Sequence, residues 1–204
     1  MVPYLSNIEV FRPGAEFLTG RGANSTSQFG EDGLIEAALE RFGATNRWCF
    51  EVGANDGLFF SNTHRLRCAG WDAVLIESDP ELFRRLQEQA GSTVRIVHRK
   101  IGRDCLDEIL FRSGAPADLD LGVIDIDGQD YHVWDGMQKF RPRLMLVEFD
   151  YGTDGPEGMG DVVPEIGGEG QASFDAITRL GKSKGYTALA KTMVNLLFVQ
   201  TELL

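Results

Sequence analysis

The stretch that most constrains this sequence is Trp-Cys-Phe-Glu-Val-Gly-Ala-Asn-Asp-Gly, residues 48–57. A short apolar run ends in an acid and passes into a turn with glycines at 53 and 57. It reads as a buried strand, Trp48 to Val52, feeding a loop that opens a helix. Glycine lets the backbone turn tightly and approach a ligand where a Cβ would clash. Glu51 falls at the carboxyl end of that strand, where open α/β sheets bind ligands. The pattern recurs after Trp71. Asp72 to Ile76 reads as a second strand and ends in Glu77. A carboxylate there offers two acceptor oxygens to the two hydroxyls of a ribose. Two strand-end acids around a glycine turn suit a nucleoside-bearing cofactor. A glycine turn alone is also common in βαβ units that bind nothing.

The elements alternate along the chain. Residues 1–26 carry Pro3, Pro13, Gly14, Gly20 and Gly22 without a sustained period and read as an irregular arm. Leu34, Ile35, Ala38, Leu39 and Phe42 share one face of a helix from about Asp32 to Phe42. Short helices follow over 62–69 and 80–90, the second capped by Asp79 with Pro80 in its first turn. Val94 to Val97 reads as the third strand, and Asp104 as the cap of a helix to Phe111. Leu121 to Ile126 and Leu144 to Phe149 are the fourth and fifth strands, with a helix around Val133, Trp134 and Met137 between them. Residues 152–171 are rich in glycine and acids and read as a mobile loop. After a last helix around Phe174, Ile177 and Leu180, Tyr186–Lys191 and Asn195–Gln200 leave no room for a crossover between them. They must form an antiparallel hairpin. This order predicts one α/β domain over 1–204, doubly wound and mostly parallel, with helices on both faces.

Three motifs then carry a resemblance: Glu-Val-Gly-Ala-Asn-Asp-Gly at 51–57, Ile-Asp-Ile-Asp-Gly at 124–128, and Asn-Leu-Leu-Phe-Val at 195–199. Together with Ser-Gln-Phe-Gly-Glu-Asp at 27–32 they resemble class I S-adenosylmethionine-dependent methyltransferases, and more narrowly the FkbM-type O-methyltransferases. The resemblance spans about Ser27 to the C-terminus. It implies a seven-stranded sheet in the order 3-2-1-4-5-7-6, S-adenosylmethionine as cofactor, and methyl transfer to oxygen of a small-molecule acceptor. One departure is Gln129, where many members carry Glu after the Asp-x-Asp-Gly turn.

On this reading Glu51, Gly53, Asn55 and Gly57 meet the methionine end of the cofactor, and Glu77 the ribose. Asn55 stands where a dinucleotide fingerprint carries glycine, which disfavours a nicotinamide-dependent oxidoreductase. Ser78 and the Lys100-Ile101-Gly102 turn fall near the adenine. Gln28 and Glu31 reach the cofactor from the leading helix, or else are a cap and a solvated acid. Asp125, Asp127, Asp130, Glu148 and Asp150 gather at the ends of the fourth and fifth strands. Adjacent carboxylates need a counter-charge. It would come from the sulfonium, from Arg or Lys, or from Mg²⁺ held by Asp125, Asp127, Glu148 and Asp150. Otherwise Asp125 serves the cofactor and Asp127 caps the next helix. His132 is the leading general base, beside Asp127, because its ordinary pKa lies near neutrality; His64 and His98 rank below it. The competing reading is a metabolite-binding protein of the same fold without turnover.

The formal net charge of −11 disfavours a nucleic-acid backbone or an anionic membrane as partner. Three cysteines without metal-ligand spacing read as reduced thiols of a cytoplasmic protein. No signal-like leader or membrane-length apolar run is expected. Phe11 and Phe17 in the arm would pack on the chain's own core or on a partner, which leaves the oligomeric state open.

Overall fold

The computed structural model describes residues 8–153 and 160–204. Its elements are β1 (Glu9–Val10), α1 (Glu31–Phe42), β2 (Trp48–Val52), α2 (His64–Cys68), β3 (Asp72–Glu77), α3 (Pro80–Gln89), β4 (Val94–His98), α4 (Leu106–Arg112), β5 (Leu121–Ile124), α5 (Asp130–Gly136), β6 (Leu144–Glu148), α6 (Phe174–Ser183), β7 (Tyr186–Lys191) and β8 (Asn195–Gln200). They build an eight-stranded sheet in the order β1-β7-β8-β6-β5-β2-β3-β4. β4, β3, β2, β5 and β6 run parallel; β8 is antiparallel to both β6 and β7. With β1 set aside, the order is the expected 3-2-1-4-5-7-6.

The eighth strand is a correction to the seven expected. Glu9 and Val10, inside the arm, pair antiparallel with Lys191 and Ala190. Two residues are too few to show alternation in a sequence, and a ready-made edge recruits them. The rest of the arm is irregular apart from a 3-10 turn at Glu16–Leu18. Its aromatics pack within the chain: Phe11 against Phe174 at 5.5 Å between ring centroids, and Phe17 against Phe42 at 5.7 Å.

Alternation along the strands divides the core between the two faces. Phe50, Val52, Val74, Ile76 and Ile124 face α4, α5 and α6 and meet Leu110, Trp134 and Leu180. Cys49, Ala73, Leu75 and Val123 face the other way, onto Leu34, Ile35 and Ala38 of α1 and Leu86 of α3. Gly122 is where a side chain cannot fit. A Cβ there would lie 2.5 Å from Met145 Sδ and 2.6 Å from Phe50 Cζ.

Local differences follow from tertiary bonding. Asp79 caps α3 as expected, accepting from the amides of Glu81 and Leu82. Asp104 does not cap α4, which begins after Cys105 without a side-chain cap. Asp127 does not cap α5 either: that helix starts after Gln129, while Asp127 sits in a left-handed turn at φ 54°. β5 and β6 stop at Ile124 and Glu148, because the next residues turn outward to form the site. The loop expected over 152–171 has residues 154–159 outside the described set. Among the described residues, no helix is long and apolar enough to cross a membrane, and all three cysteines are unpaired.

Candidate active site

The site forms where β2, β3, β5 and β6 end together. Gly53 leaves β2 at φ 84°, and a Cβ on it would lie 1.8 Å from the Asp125 carbonyl oxygen. Glycine is therefore required at this point on two grounds, conformation and space. Asn55 follows in the left-handed region at φ 52°, which Asn tolerates better than most side chains. Gly57 closes the turn at φ 80°, with Leu86 Cδ1 2.6 Å from where its Cβ would be.

The two strand-end acids brace this turn. Glu77 accepts from the Asn55 amide at 2.8 Å through one oxygen and from the Ser78 and Asp79 amides, both at 2.7 Å, through the other. Glu51 is fully enclosed. Its carboxylate accepts from Ser61 Oγ at 2.8 Å, the Asn62 amide at 2.6 Å and Thr63 Oγ1 at 2.6 Å. Burial raises its pKa against the lowering effect of those hydrogen bonds. Glu51 thus acts on the site through the 61–63 segment it holds.

Two cavities meet at Gly53 and Asp127. The first, of about 280 Å³, is lined by Val52, Ile76, Ser78, Arg99, Lys100, Ile101, Ile126 and Gly128, and closed by Gln129 and Gly168–Gly170. Its lining sets apolar Val52, Ile76, Ile101 and Ile126 beside a few polar groups, the composition common to small-molecule sites. The second, of about 290 Å³, is lined by Gln28, Glu31, Asn55, Phe59, Phe60, Asn62, Asp125, Glu148 and Asn195. Of the residues the sequence assigns to the site, Gly53, Asn55, Ser78, Lys100, Ile101, Asp125, Asp127, Gln28, Glu31 and Glu148 line one cavity or the other, while Glu51, Gly57 and Glu77 line neither. Arg99, Phe59, Phe60, Asn62 and Asn195 also line them, without a role assigned from sequence. For Asn195 the signal was present, since it opens one of the quoted motifs.

The acid cluster is tightly bonded to the loops around it. Asp125 accepts from Asn195 Nδ2 at 3.1 Å and Asn62 Nδ2 at 3.4 Å. Asp130 is buried and accepts from the Ile126 and Gly128 amides, both at 2.9 Å. Glu148 accepts from the Asp127 amide at 2.8 Å. Burial, then the charges of the neighbouring acids, pushes Asp125 up to about 7 and Glu148 up to about 9. Burial likewise pushes Asp130 up to about 6, its two backbone hydrogen bonds working the other way. Asp150 stands apart, accepting from the Gly152 amide at 2.9 Å, and lines neither cavity. The expected metal set is therefore corrected: among the described residues no three His, Cys, Asp or Glu side chains come together as ion ligands. Asp125, Glu148 and Asp150 instead accept from backbone and side-chain amide donors.

His132 is also displaced from its expected place. It is buried, lines neither cavity, and its Nε2 lies 2.7 Å from the Pro164 carbonyl oxygen. A carbonyl only accepts, so Nε2 donates and the ring fastens the loop after β6. Gln129 fastens the same loop three times. Its Nε2 donates to the Glu165 and Gly168 carbonyls, both at 3.1 Å, and its Oε1 accepts from the Gly167 amide at 2.8 Å. His98 stacks on Phe83 at 4.8 Å, and His64 lies in α2, outside both cavities.

No protein-family model matches the sequence, and no curated protein does. Solved structures do match. The 1,6-didemethyltoxoflavin-N1-methyltransferase of Burkholderia thailandensis, solved with S-adenosylhomocysteine, is 14% identical, with a TM-score of 0.51 over 84% of this chain and 76% of that one. An S-adenosylmethionine-dependent methyltransferase from Clostridium acetobutylicum is 9% identical, at 0.51 over 83% and 89%. The CcbJ methyltransferase of Streptomyces caelestis is 12% identical, at 0.51 over 93% and 97%. The fold is that of the S-adenosylmethionine-dependent methyltransferases. At these identities the likeness covers architecture, and the chemistry rests on the residues above.

Proposed function

We propose that this chain is an S-adenosylmethionine-dependent methyltransferase that acts on oxygen of a small-molecule acceptor, similar to the FkbM-type enzymes. The observation that carries the reading is the pair of cavities at the ends of the parallel strands that share Gly53 and Asp127 in their walls. Ser78, Arg99, Lys100, Ile101 and Ile126 would hold the adenosine end in the first cavity. Glu77 retains lone pairs for a ribose hydroxyl while it braces Asn55. Gly53 and Asp127 border the junction. When bound there, the cofactor would supply an electrophilic methyl group.

The chain's own residues would then position the acceptor and take its proton. Asp127 is the base this geometry favours over His132, because it lines both cavities and is exposed. Gly168–Gly170 border the first cavity, and with Gln129 they would act as a lid that excludes water. Its residues 154–159 lie outside the described set. The acid cluster is assigned no ion. The unpaired cysteines suit a reducing, cytoplasmic setting.

Calorimetric titration with S-adenosylhomocysteine tests the reading. Saturable binding, weakened in Glu77→Ala, is expected; no binding at millimolar ligand would sink it. Asp127→Asn should retain that binding and lose most turnover in a panel of hydroxyl acceptors.

A further inference from the structure

A third cavity, of about 690 Å³, lies between α6, the first residues of β7 and the arm. It arises because β1 covers β7 only as far as Leu189, whose carbonyl accepts from the Phe11 amide at 3.0 Å. The arm then turns away, the Ala15 amide donating back to the Arg12 carbonyl at 3.2 Å. Phe174, Thr178 and Lys182 line the groove from one stripe of α6, because they recur every four residues. Phe11, Tyr186 and Ala188 line it beside them and belong to the core on the same side of the sheet. Lys182 is exposed and stands eight residues beyond Phe174, about 12 Å along the helix. Arg12 lines the groove from the arm, and no described Asp or Glu does, although the chain has 31 acids against 20 Lys and Arg. Acids of the same region are engaged elsewhere: Glu9 with Lys191 at 3.3 Å, Asp161 with Arg179 at 2.7 Å, and Glu202 with Arg141. Among the described residues neither Arg12 nor Lys182 has a carboxylate partner.

We propose that this groove is a second binding site, for an amphiphile with an apolar tail and a carboxylate head, as a medium-chain fatty acid presents. The tail covers the half-buried Phe11, Phe174 and Ala188, and the head meets Lys182. Thr187 Oγ1 and Thr201 Oγ1, also in the lining, lie 2.9 Å apart. Only one of them donates to the other, so one hydroxyl hydrogen is left for the head. A carboxylate takes both donors as charge-assisted hydrogen bonds, whereas an ammonium head meets a lysine and no counter-charge. The site is separate from methyl transfer. β8 begins at Asn195, paired with Glu148 of the candidate active site, and ends at Gln200, paired with Tyr186 of the groove, roughly 17 Å of strand away.

Calorimetric titration with decanoate, below its micellar concentration, tests the proposal. Decanol and decylamine keep the tail and change the head; acetate keeps the head and lacks the tail. Decanoate should saturate a single site and bind roughly fivefold more tightly than decanol or decylamine, while acetate should not saturate at the same concentrations. Lys182→Glu, an exposed change in the last turn of α6, should cut decanoate affinity roughly tenfold and leave S-adenosylhomocysteine affinity within about twofold. Saturating S-adenosylhomocysteine should leave decanoate binding unchanged. Equal affinity for decanoate and decylamine would overturn the proposal. So would unaltered decanoate binding in Lys182→Glu, since the lysine would then only complement the dipole of α6. Displacement of decanoate by S-adenosylhomocysteine would overturn it too, and would place the carboxylate beside Arg99 and Lys100 in the first cavity. The decanoate titrations of wild type and Lys182→Glu need no cofactor, so they decide this proposal even where S-adenosylhomocysteine fails to bind and the methyl-transfer reading falls.

Discussion

Gln129 shows how one residue acquires a role through its fold. Its amide nitrogen meets two carbonyl oxygens and its amide oxygen meets one N–H, all on the loop after β6. Glutamate would keep the single acceptor contact and set a carboxylate against both carbonyls. Gln129→Glu should cost only about 1 kcal/mol in global stability, since the side chain is half-buried. Backbone hydrogen exchange over 160–170 should accelerate in that variant, and unchanged exchange there would show that Gln129 does not hold the loop. Gly53 is the opposite case, a residue whose role is the absence of atoms. Gly53→Ala places a Cβ 1.8 Å from a backbone oxygen at φ 84°. It should lower stability by about 3 kcal/mol, read from urea unfolding, and abolish cofactor binding.

Between elements, the turn from α1 into β2 is held by one carboxylate from the start of β5. Asp120 is fully buried and accepts from the amides of Thr45, Asn46 and Arg47 and from Thr45 Oγ1 at 2.6–3.0 Å. Arg143 Nε lies 3.7 Å away. The bonds set the height at which β2 enters the sheet, and so the height at which Gly53 leaves it. Asp120→Ala strands three amides and should cost about 3 kcal/mol. The urea midpoint should fall with an unchanged slope, whereas an unchanged midpoint would show that water replaces the carboxylate freely. At the far edge, β1 covers β7 with two residues and the Phe11–Phe174 contact. Removing the chain through Arg12 should bare that edge and promote self-association, measured by light scattering.

For the whole molecule, the buried acids link stability to pH. Asp130, Asp125 and Glu148 are pushed up to about 6, 7 and 9, chiefly by burial. A carboxyl group in the unfolded chain titrates near ~4. Between that value and the raised ones the folded protein holds more protons than the unfolded chain, so its stability falls as pH rises. Each proton so retained costs about 1.4 kcal/mol per pH unit. The melting temperature should therefore be highest near pH 5 and decline toward pH 9, where the net charge of −11 adds self-repulsion. Glu148→Gln should flatten the decline above about pH 7; an unaltered slope would show that another group titrates there.

What the sequence determined by itself was the architecture around the turn at 48–57. Alternating strand and helix signals, two strand-end acids and the short link at 192–194 are all local, and local pattern is what fixes element type, the order of elements along the chain and the glycines at 53 and 57; the order of strands within the sheet came from the resemblance. It also placed Asp125, Asp127 and Ser78 beside a pocket, because a parallel sheet brings its strand ends to one side. Tertiary structure alone decided how side chains divide their hydrogen bonds. Glu51 and Glu77 look alike as strand-end acids, yet one holds segment 61–63 and the other the turn itself. His132 lies five positions after Asp127, and the fold sends one to a carbonyl of the loop and the other to the cavity. Asn62 and Asn195 come together across most of the chain, each giving its amide nitrogen to Asp125. A donor's partner is set by distance in space, which is the one quantity that sequence spacing does not carry beyond a helix turn or a strand pair.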